Sequence, residues 1–348
     1  MQQESWISKI AFFFNKVLAL LTISAYLLPF LSPKLFPFLS VLTLSLPFFL
    51  FLNFGFFIIW VLQLKKKFLL SAFILLIGIT FINKFYKFSE IKTVEESTDF
   101  TLMSFNVRLF NLYEWLPAKD IPEQITKVIQ NYNPDILCLQ EYSPNEDVRL
   151  RNFTYKYIKV EGGKNKYGQA IFSKYKIINK GEINFPNSTN NVIYADIIQN
   201  IDTIRVYSMH LQSIRISTDI HEKIDENKSK FIFKRISAAF KEQQLQSELI
   251  QEHYKNCKYP KIVCGDMNNS AFSYVYSTIK EDMKDAFEQA GTGFGASYNF
   301  KFYPARIDYV FVEDNIKVKE FKTDDTVELS DHFPVHARLN MGSKKINN

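Results

Sequence analysis

Cysteine is scarce in this chain: three in 348 residues, Cys138, Cys257 and Cys264. No two stand at the C-x-x-C spacing of a zinc knuckle or dithiol redox motif. Cys138 and Cys264 lie inside apolar runs, where a free thiol behaves as a small core hydrophobe. All three therefore read as structural, without a disulfide. Charge is also sparse at the start: residues 1–99 hold 9 Lys and Arg against 5 Asp and Glu. The remainder holds 33 against 31, so the net charge of +6 belongs mostly to the N-terminal region. A protein living on nucleic-acid backbone usually carries a more basic footprint, so this near-neutrality counts against such a partner without removing it. A phosphate-cradling loop is missing too. Gly291-Thr292-Gly293-Phe294-Gly295 has the glycines but no following Lys-Ser/Thr, and it opens no helix.

What fills the first quarter is hydrocarbon. Residues 10–31, about 38–64 and about 68–82 are long apolar runs, against the roughly 20 residues a helical span needs. Asn15-Lys16 interrupts the first, and the third is short. The second is apolar on every face, which a soluble core helix rarely is. A cleaved signal peptide does not account for the first run, because no small-residue cleavage site follows and two more apolar runs do. Pro29, Pro33 and Pro37 mark one turn-round and Lys65-Lys66-Lys67 the next. That lysine triplet is the densest positive loop, which the positive-inside rule puts in the cytoplasm. Three spans then leave the following domain on the extracytoplasmic side, periplasmic in a Gram-negative cell, although Lys84, Lys87 and Lys92 pull the other way. The expected plan is a multi-pass membrane region at 1–83, a polar tether at 84–99, one large domain at 100–340 and a polar tail at 341–348.

Within that domain several strand-like runs end on polar side chains. Ile262-Val263-Cys264 stops at Gly265 and presents Asp266 and Asn268, two apart and so on one face of extended chain. Taken alone, Gly-Asp-x-Asn reads equally as a turn. It is not alone: Phe100–Asn106, Asp135–Glu141, Ile204–His210 and Arg306–Val312 follow the same design, and Ser330-Asp331-His332 comes near the end. Ile121–Asn131 has helical spacing with Pro122 in its first turn. Phe231–Tyr254 reads as a long helix burying Phe231, Ile232, Ile236, Phe240, Leu245, Leu249 and Ile250.

In order, Asn106, Gln140-Glu141, His210, Gly265-Asp266-Met267-Asn268, Arg306-Ile307-Asp308-Tyr309 and Ser330-Asp331-His332 resemble the signature set of the endonuclease/exonuclease/phosphatase superfamily. Gly168-Gln169-Ala170-Ile171-Phe172-Ser173-Lys174 resembles another of its strands. The resemblance spans about residues 100–340. It implies an α+β fold, a four-layer α/β/β/α sandwich of two mostly antiparallel sheets flanked by helices, here preceded by transmembrane helices. It also implies hydrolysis of a phosphoester by in-line attack of activated water, with Mg²⁺ as cofactor and Mn²⁺ as a substitute.

The resemblance implies Glu141 as principal metal ligand, with Asn106 supporting the metal shell and orienting Glu141. Asp331 serves a second metal or the histidine shell. His332 is the expected catalytic base, oriented by Asp308, with the Asp266 carboxylate as rival base. Asn268 and His210 are expected to bind the phosphoryl group and donate to developing charge. His221, His253 and His336 lack motif context and read as surface residues. The glycine-rich 291–295 stretch is expected as a mobile loop at the site mouth, and Tyr298, Phe300, Phe302 and Tyr303 as edge-strand packing, with a lipid- or base-facing rim as the alternative. The expected partners are a phosphoester substrate and the lipid bilayer. A phospholipid or another extracytoplasmic phosphoester leads, nucleic acid is the alternative substrate, a catalytically silent scaffold is the other class, and no protein partner is inferred.

Overall fold

The computed structural model describes residues 5–88, 93–145, 147–163, 165–214, 226–300 and 303–342. His221, Phe302, Lys92 and tail residues 343–348, all named above, lie outside the described residues.

The chain begins with α1 (Trp6–Leu27), a short α2 (Pro37–Val41), α3 (Leu46–Leu62), α4 (Phe68–Ile77) and α5 (Ile79–Phe85). Trp6–Phe30 and Pro37–Leu62 are each long and apolar enough to cross a membrane. The expected third run is two helices bent by 67° rather than one straight rod. The bend falls at Gly78, where any Cβ would collide with the Tyr26 ring.

Burial in this bundle is inverted. Asn15, Thr22, Asn53 and Ser71 are fully buried, while Phe13, Phe14, Leu20, Phe51, Leu62, Phe73 and Leu76 face outward. Asn15 Nδ2 donates to Ser71 Oγ at 2.9 Å and its Oδ1 accepts from Trp60 Nε1 at 2.9 Å. Apolar outside and hydrogen-bonded inside is the solution hydrocarbon surroundings favour. The Asn15 interruption noted in the sequence is thus an interior tie.

The second body follows. Its strands are β1 (Asp99–Asn106), β2 (Ile136–Tyr142), β3 (Tyr155–Glu161), β4 (Tyr167–Ser173), β5 (Ile177–Asn184), β6 (Asn191–Gln199), β7 (Asp202–His210), β8 (Lys261–Asp266), β9 (Lys284–Asp285), β10 (Asp308–Val312), β11 (Ile316–Thr323) and β12 (Val335–Met341). They form two six-stranded sheets, ordered β11-β12-β1-β2-β4-β3 and β5-β6-β7-β8-β10-β9. Each sheet is mostly antiparallel around one parallel pair, β1 with β2 and β7 with β8.

Phe100, Leu102, Ile136 and Cys138 from one sheet meet Val206, Ile262, Cys264 and Val310 from the other in a fully buried core. The outer face of the first sheet packs under α6 (Ile121–Tyr132) through Ile125 and Ile129. The outer face of the second packs under α7 (Glu226–Tyr254) and α8 (Tyr274–Lys280) through Ile250, Tyr254, Val275 and Ile279. This is the four-layer α/β/β/α sandwich.

Several local expectations need correction. In α7, Phe231, Leu245 and Leu249 are exposed, whereas Gln243, Gln244, Gln246 and Ser247 are buried. The glutamines win the inner face because backbone groups there need partners. Gln243 Nε2 donates to the carbonyls of Gln212 and Asn268, and Gln246 Oε1 accepts from the Gln212 N–H. His253 sits 3.0 Å from the Tyr207 hydroxyl, and His336 packs on the Tyr132 ring, so neither is a bare surface residue. The expected tether is not free along its described residues: Lys87 and Gly293 exchange two backbone hydrogen bonds at 2.9 Å, and Thr93 Oγ1 donates to the Lys319 carbonyl. The same bridge holds the glycine-rich loop. The expected tail starts inside β12, which runs to Met341.

Candidate active site

Parallel pairing explains why separated residues meet. β1 and β2 run together, so their C-terminal ends bring Asn106 opposite Gln140, next to Glu141. β7 and β8 bring His210 opposite Asp266, and antiparallel β10 brings Asp308 opposite Asp266. Packing the sheets face to face then closes one pit, at the strand carboxyl ends where α/β sheets generally bind ligands.

Backbone conformation sharpens these ends. Gly265 has φ +121°, and a Cβ there would strike the Met209 carbonyl oxygen. Glu141 and Asn268 are non-glycine residues with φ of 50° and 53°. Such left-handed conformations cost of order 1 kcal/mol or more each and cluster at functional sites. The ladder between β2 and β4 is irregular between Leu139 and Tyr142, which aims Glu141 away from regular pairing.

The structure brings every expected site residue together. His332 Nδ1 lies 2.9 Å from Asp308 Oδ2, and its Nε2 lies 3.6 Å from Asp266 Oδ2. Asp266 Oδ2 accepts from Asn106 Nδ2 at 3.1 Å and Asn268 Nδ2 at 2.9 Å. Asn106 Nδ2 also reaches Glu141 Oε1 at 3.4 Å. His210 Nε2 is 3.7 Å from both Glu141 Oε1 and Asp266 Oδ2. Asp331 stands at the rim, 3.5 Å from Arg108 Nε.

Electrostatics separates the two histidines. Burial alone disfavours the His332 imidazolium, but the carboxylates of Asp308 and Asp266 outweigh it and push the group up to about 10. Burial, reinforced by the His332 charge, pushes His210 down to about 3. His210 is therefore neutral, and its buried Nε2 has no hydrogen-bond partner. Burial also raises Glu141 and Asp266 above the ordinary carboxylate range.

Hard cations prefer carboxylate and carbonyl oxygens and need few protein ligands. Glu141 fits that chemistry: it is half-buried, beside Asn106 and the unpartnered His210 nitrogen. The buried Asp266, Asp308 and His332 also present ligand atoms within 4.8 Å of one another. His332 Nδ1 is already engaged by Asp308 there, so this trio is built more as a hydrogen-bonded histidine–carboxylate unit.

Other contributors carried weaker sequence signals. Arg108, in a left-handed turn after β1, lays its guanidinium 4.4 Å from the Trp115 ring at the rim. The Tyr298 ring lies edge-on to His332 at 4.9 Å, closer to the chemistry than the packing role expected of it. In Arg306-Ile307-Asp308-Tyr309, only Asp308 faces the pit. Arg306 pairs with Asp285 at 2.7 Å between the Phe287 and Tyr309 rings, and Tyr309 donates to the Asn269 and Arg306 carbonyls. Gln140 donates to Ser208 Oγ at 2.9 Å, tying the two sheets together behind the pit.

A two-sheet sandwich with this polar pit defines a class shared with known structures. The Endonuclease/Exonuclease/phosphatase family model matches residues 103–332, a stretch that holds every site residue from Asn106 to His332. The chain belongs to that family, whose members are hydrolases of phosphoester bonds and generally depend on a divalent metal. Residues 8–85 match a domain of unknown function (DUF8431).

An endonuclease/exonuclease/phosphatase from Beutenbergia cavernae DSM 12333 superposes with TM-score 0.53 at 16% identity, covering 70% of this chain and 72% of that one. One from Bacteroides vulgatus gives 0.51 at 21%, covering 70% and 99%. D. rerio TDP2, solved with a single-strand DNA product, gives 0.52 at 17%, covering 70% and 100%. No curated protein matches the chain.

Proposed function

We propose that the chain is a membrane-anchored, divalent-metal-dependent phosphoesterase that hydrolyses a phosphodiester or phosphomonoester presented at the bilayer by in-line attack of water. The observation that carries it is the unpartnered Nε2 of neutral His210, buried between the Glu141 and Asp266 carboxylates and beside the His332–Asp308 pair. A buried imidazole nitrogen left open among the described residues, in a site crowded with carboxylates, suits a phosphoryl oxygen when it carries the ring proton.

Glu141 would hold the metal, with Asn106 orienting Glu141 and Asp331 in the outer shell, and the cation would supply charge neutralisation at the phosphoryl oxygens. Asp308 keeps His332 charged, so His332 donates to the phosphoryl group or leaving oxygen. Asp266, made more basic by burial, takes the proton of the attacking water, a task that favours a pKa near the working pH. Asn268 holds Asp266 and lines the phosphoryl pocket.

Membrane placement is supported by the inverted bundle. Its Lys65–Lys67 turn lies at the Ser8 end of α1, while Phe81 and Phe85 at the other end pack on Phe272 of the catalytic body. With the lysines cytoplasmic, the site faces the extracytoplasmic side. An alkaline phosphatase reporter fused after Asn83 is then active, and an inactive fusion reverses the orientation.

A nuclease is the second reading, favoured by the Arg108–Trp115 stack at the rim and by the DNA product bound to D. rerio TDP2. The deciding experiment follows release from a chromogenic phosphodiester by the full chain, with chelator and then with Mg²⁺ or Mn²⁺ restored. Metal-dependent release supports the enzyme; its absence across diesters, monoesters and nucleic acid leaves a scaffold.

A further inference from the structure

Beside the pit lies a cavity of about 770 Å³, walled in part by Arg108, Asn268 and Asp331. That size is typical of small-molecule sites, about 300–1,000 Å³. The rest of its wall carries Lys84, Asn269, Ser270 and the Asp285-paired Arg306, and beside them a broad apolar part. Phe85, at the end of α5, gathers Phe294 at 5.1 Å, Tyr303 at 5.8 Å and Phe272 at 6.5 Å around it. Leu44 completes this apolar part, and it belongs to Pro37–Leu62, a helix long and apolar enough to cross a membrane.

One cavity thus touches the candidate phosphoryl pocket through Asn268 and a candidate membrane span through Leu44. Phe294 remains 42% exposed within an otherwise packed aromatic group, so apolar surface is left for an occupant. A wall shared with a membrane segment suits a chain that arrives from the bilayer.

We propose that this cavity binds the hydrocarbon tail of a membrane phospholipid, making the substrate a lipid phosphoester whose head reaches the pit while its tail lies against Phe294, Phe272 and Leu44. The inference rests on the phosphoesterase reading and names its substrate class. Each buried methylene adds to binding, so specificity rises with chain length until the cavity is filled.

The test uses the full chain in detergent with p-nitrophenyl alkyl phosphodiesters from methyl to dodecyl. Expected is a rise of at least a hundredfold in kcat/KM along the series. Phe294→Glu and Leu44→Gln each cut that dodecyl-to-methyl ratio at least tenfold. Because the ratio is taken within one preparation, a partly folded variant does not mimic the effect. A flat series overturns the proposal, as does a rising series that both variants leave intact, which reports micelle partitioning, or faster cleavage of an oligonucleotide than of every alkyl ester. Binding of dodecyl against methyl phosphate to chelator-treated protein reads the cavity without turnover. Tail-dependent binding with no hydrolysis of any ester therefore breaks the enzyme reading alone, and tail-independent binding breaks this one.

Discussion

Two regions of this molecule bury polar side chains, and they do it differently. In the helical bundle Asn15, Ser71 and Trp60 are neutral and bond to one another, as Thr22 Oγ1 and Asn53 Nδ2 do, while Asn53 Oδ1 is left open, so the contrast with the pit lies in charge rather than in full pairing. In the pit Asp266, Asp308 and His332 are buried in ionisable form beside half-buried Glu141, and His210 Nε2 is left open. A neutral, mutually bonded cluster is structural glue in apolar surroundings. A charged cluster with an open donor is held at a cost that only a ligand or a reaction recovers. The contrast separates the two kinds of buried polarity without reference to sequence motifs.

The comparison breaks most sharply at the pit. His332→Ala or Asp266→Ala is expected to lower kcat on a phosphodiester by about 10²–10⁴-fold in the protein that remains folded, as read by unfolding alongside turnover. A variant with near-normal turnover removes the assignment. Arg306→Ala tests a buried charge that is paired, to Asp285, although its Nε is left open. It strands buried Asp285 and is expected to cost about 3–5 kcal/mol of stability, read by denaturant unfolding, with activity falling only as folded protein is lost.

Asp308→Asn adds the pH axis. The His332 group sits near 10 in the fold against an ordinary value of 6.5. Its stabilising contribution is therefore fully present below about pH 6.5 and is lost as pH rises through about 10. In chelator-treated protein the melting-temperature gap between wild type and Asp308→Asn is expected to be widest below pH 6.5 and to narrow toward pH 10. A constant gap counts against a charged imidazolium. The smallest effect belongs to the bundle. Asn15→Leu is expected to cost about 0.6–1.7 kcal/mol in detergent unfolding and to leave turnover within about twofold, since it touches glue only.

Legibility followed chemistry that is local. The strand ends could be read because period-two apolar runs announce themselves and Asn106, Glu141, His210, Asp266 and His332 each sit at or near such a terminus. The apolar runs announced the bundle for the same reason. The stripe of α7 was misread because leucine outweighs glutamine in any periodicity, while Gln243 is inside to satisfy the carbonyls of Gln212 and Asn268. Arg108 gave no signal and Tyr298 only that of an aromatic run, since their roles come from a left-handed turn and from a loop bridged to His332.

By itself the sequence determined which side chains stand at strand ends, which segments are long and apolar, and that the charge is nearly balanced beyond residue 99. These depend only on residue type and spacing. Tertiary structure alone decided that two parallel strand pairs converge on one pit, that two histidines of opposite electrostatic bias lie side by side, and that a helix apolar enough to cross a membrane shares a cavity wall with the site. Those follow from the packing of two sheets and a bundle, whose contacts join residues up to more than two hundred positions apart, a distance across which no local pattern carries information.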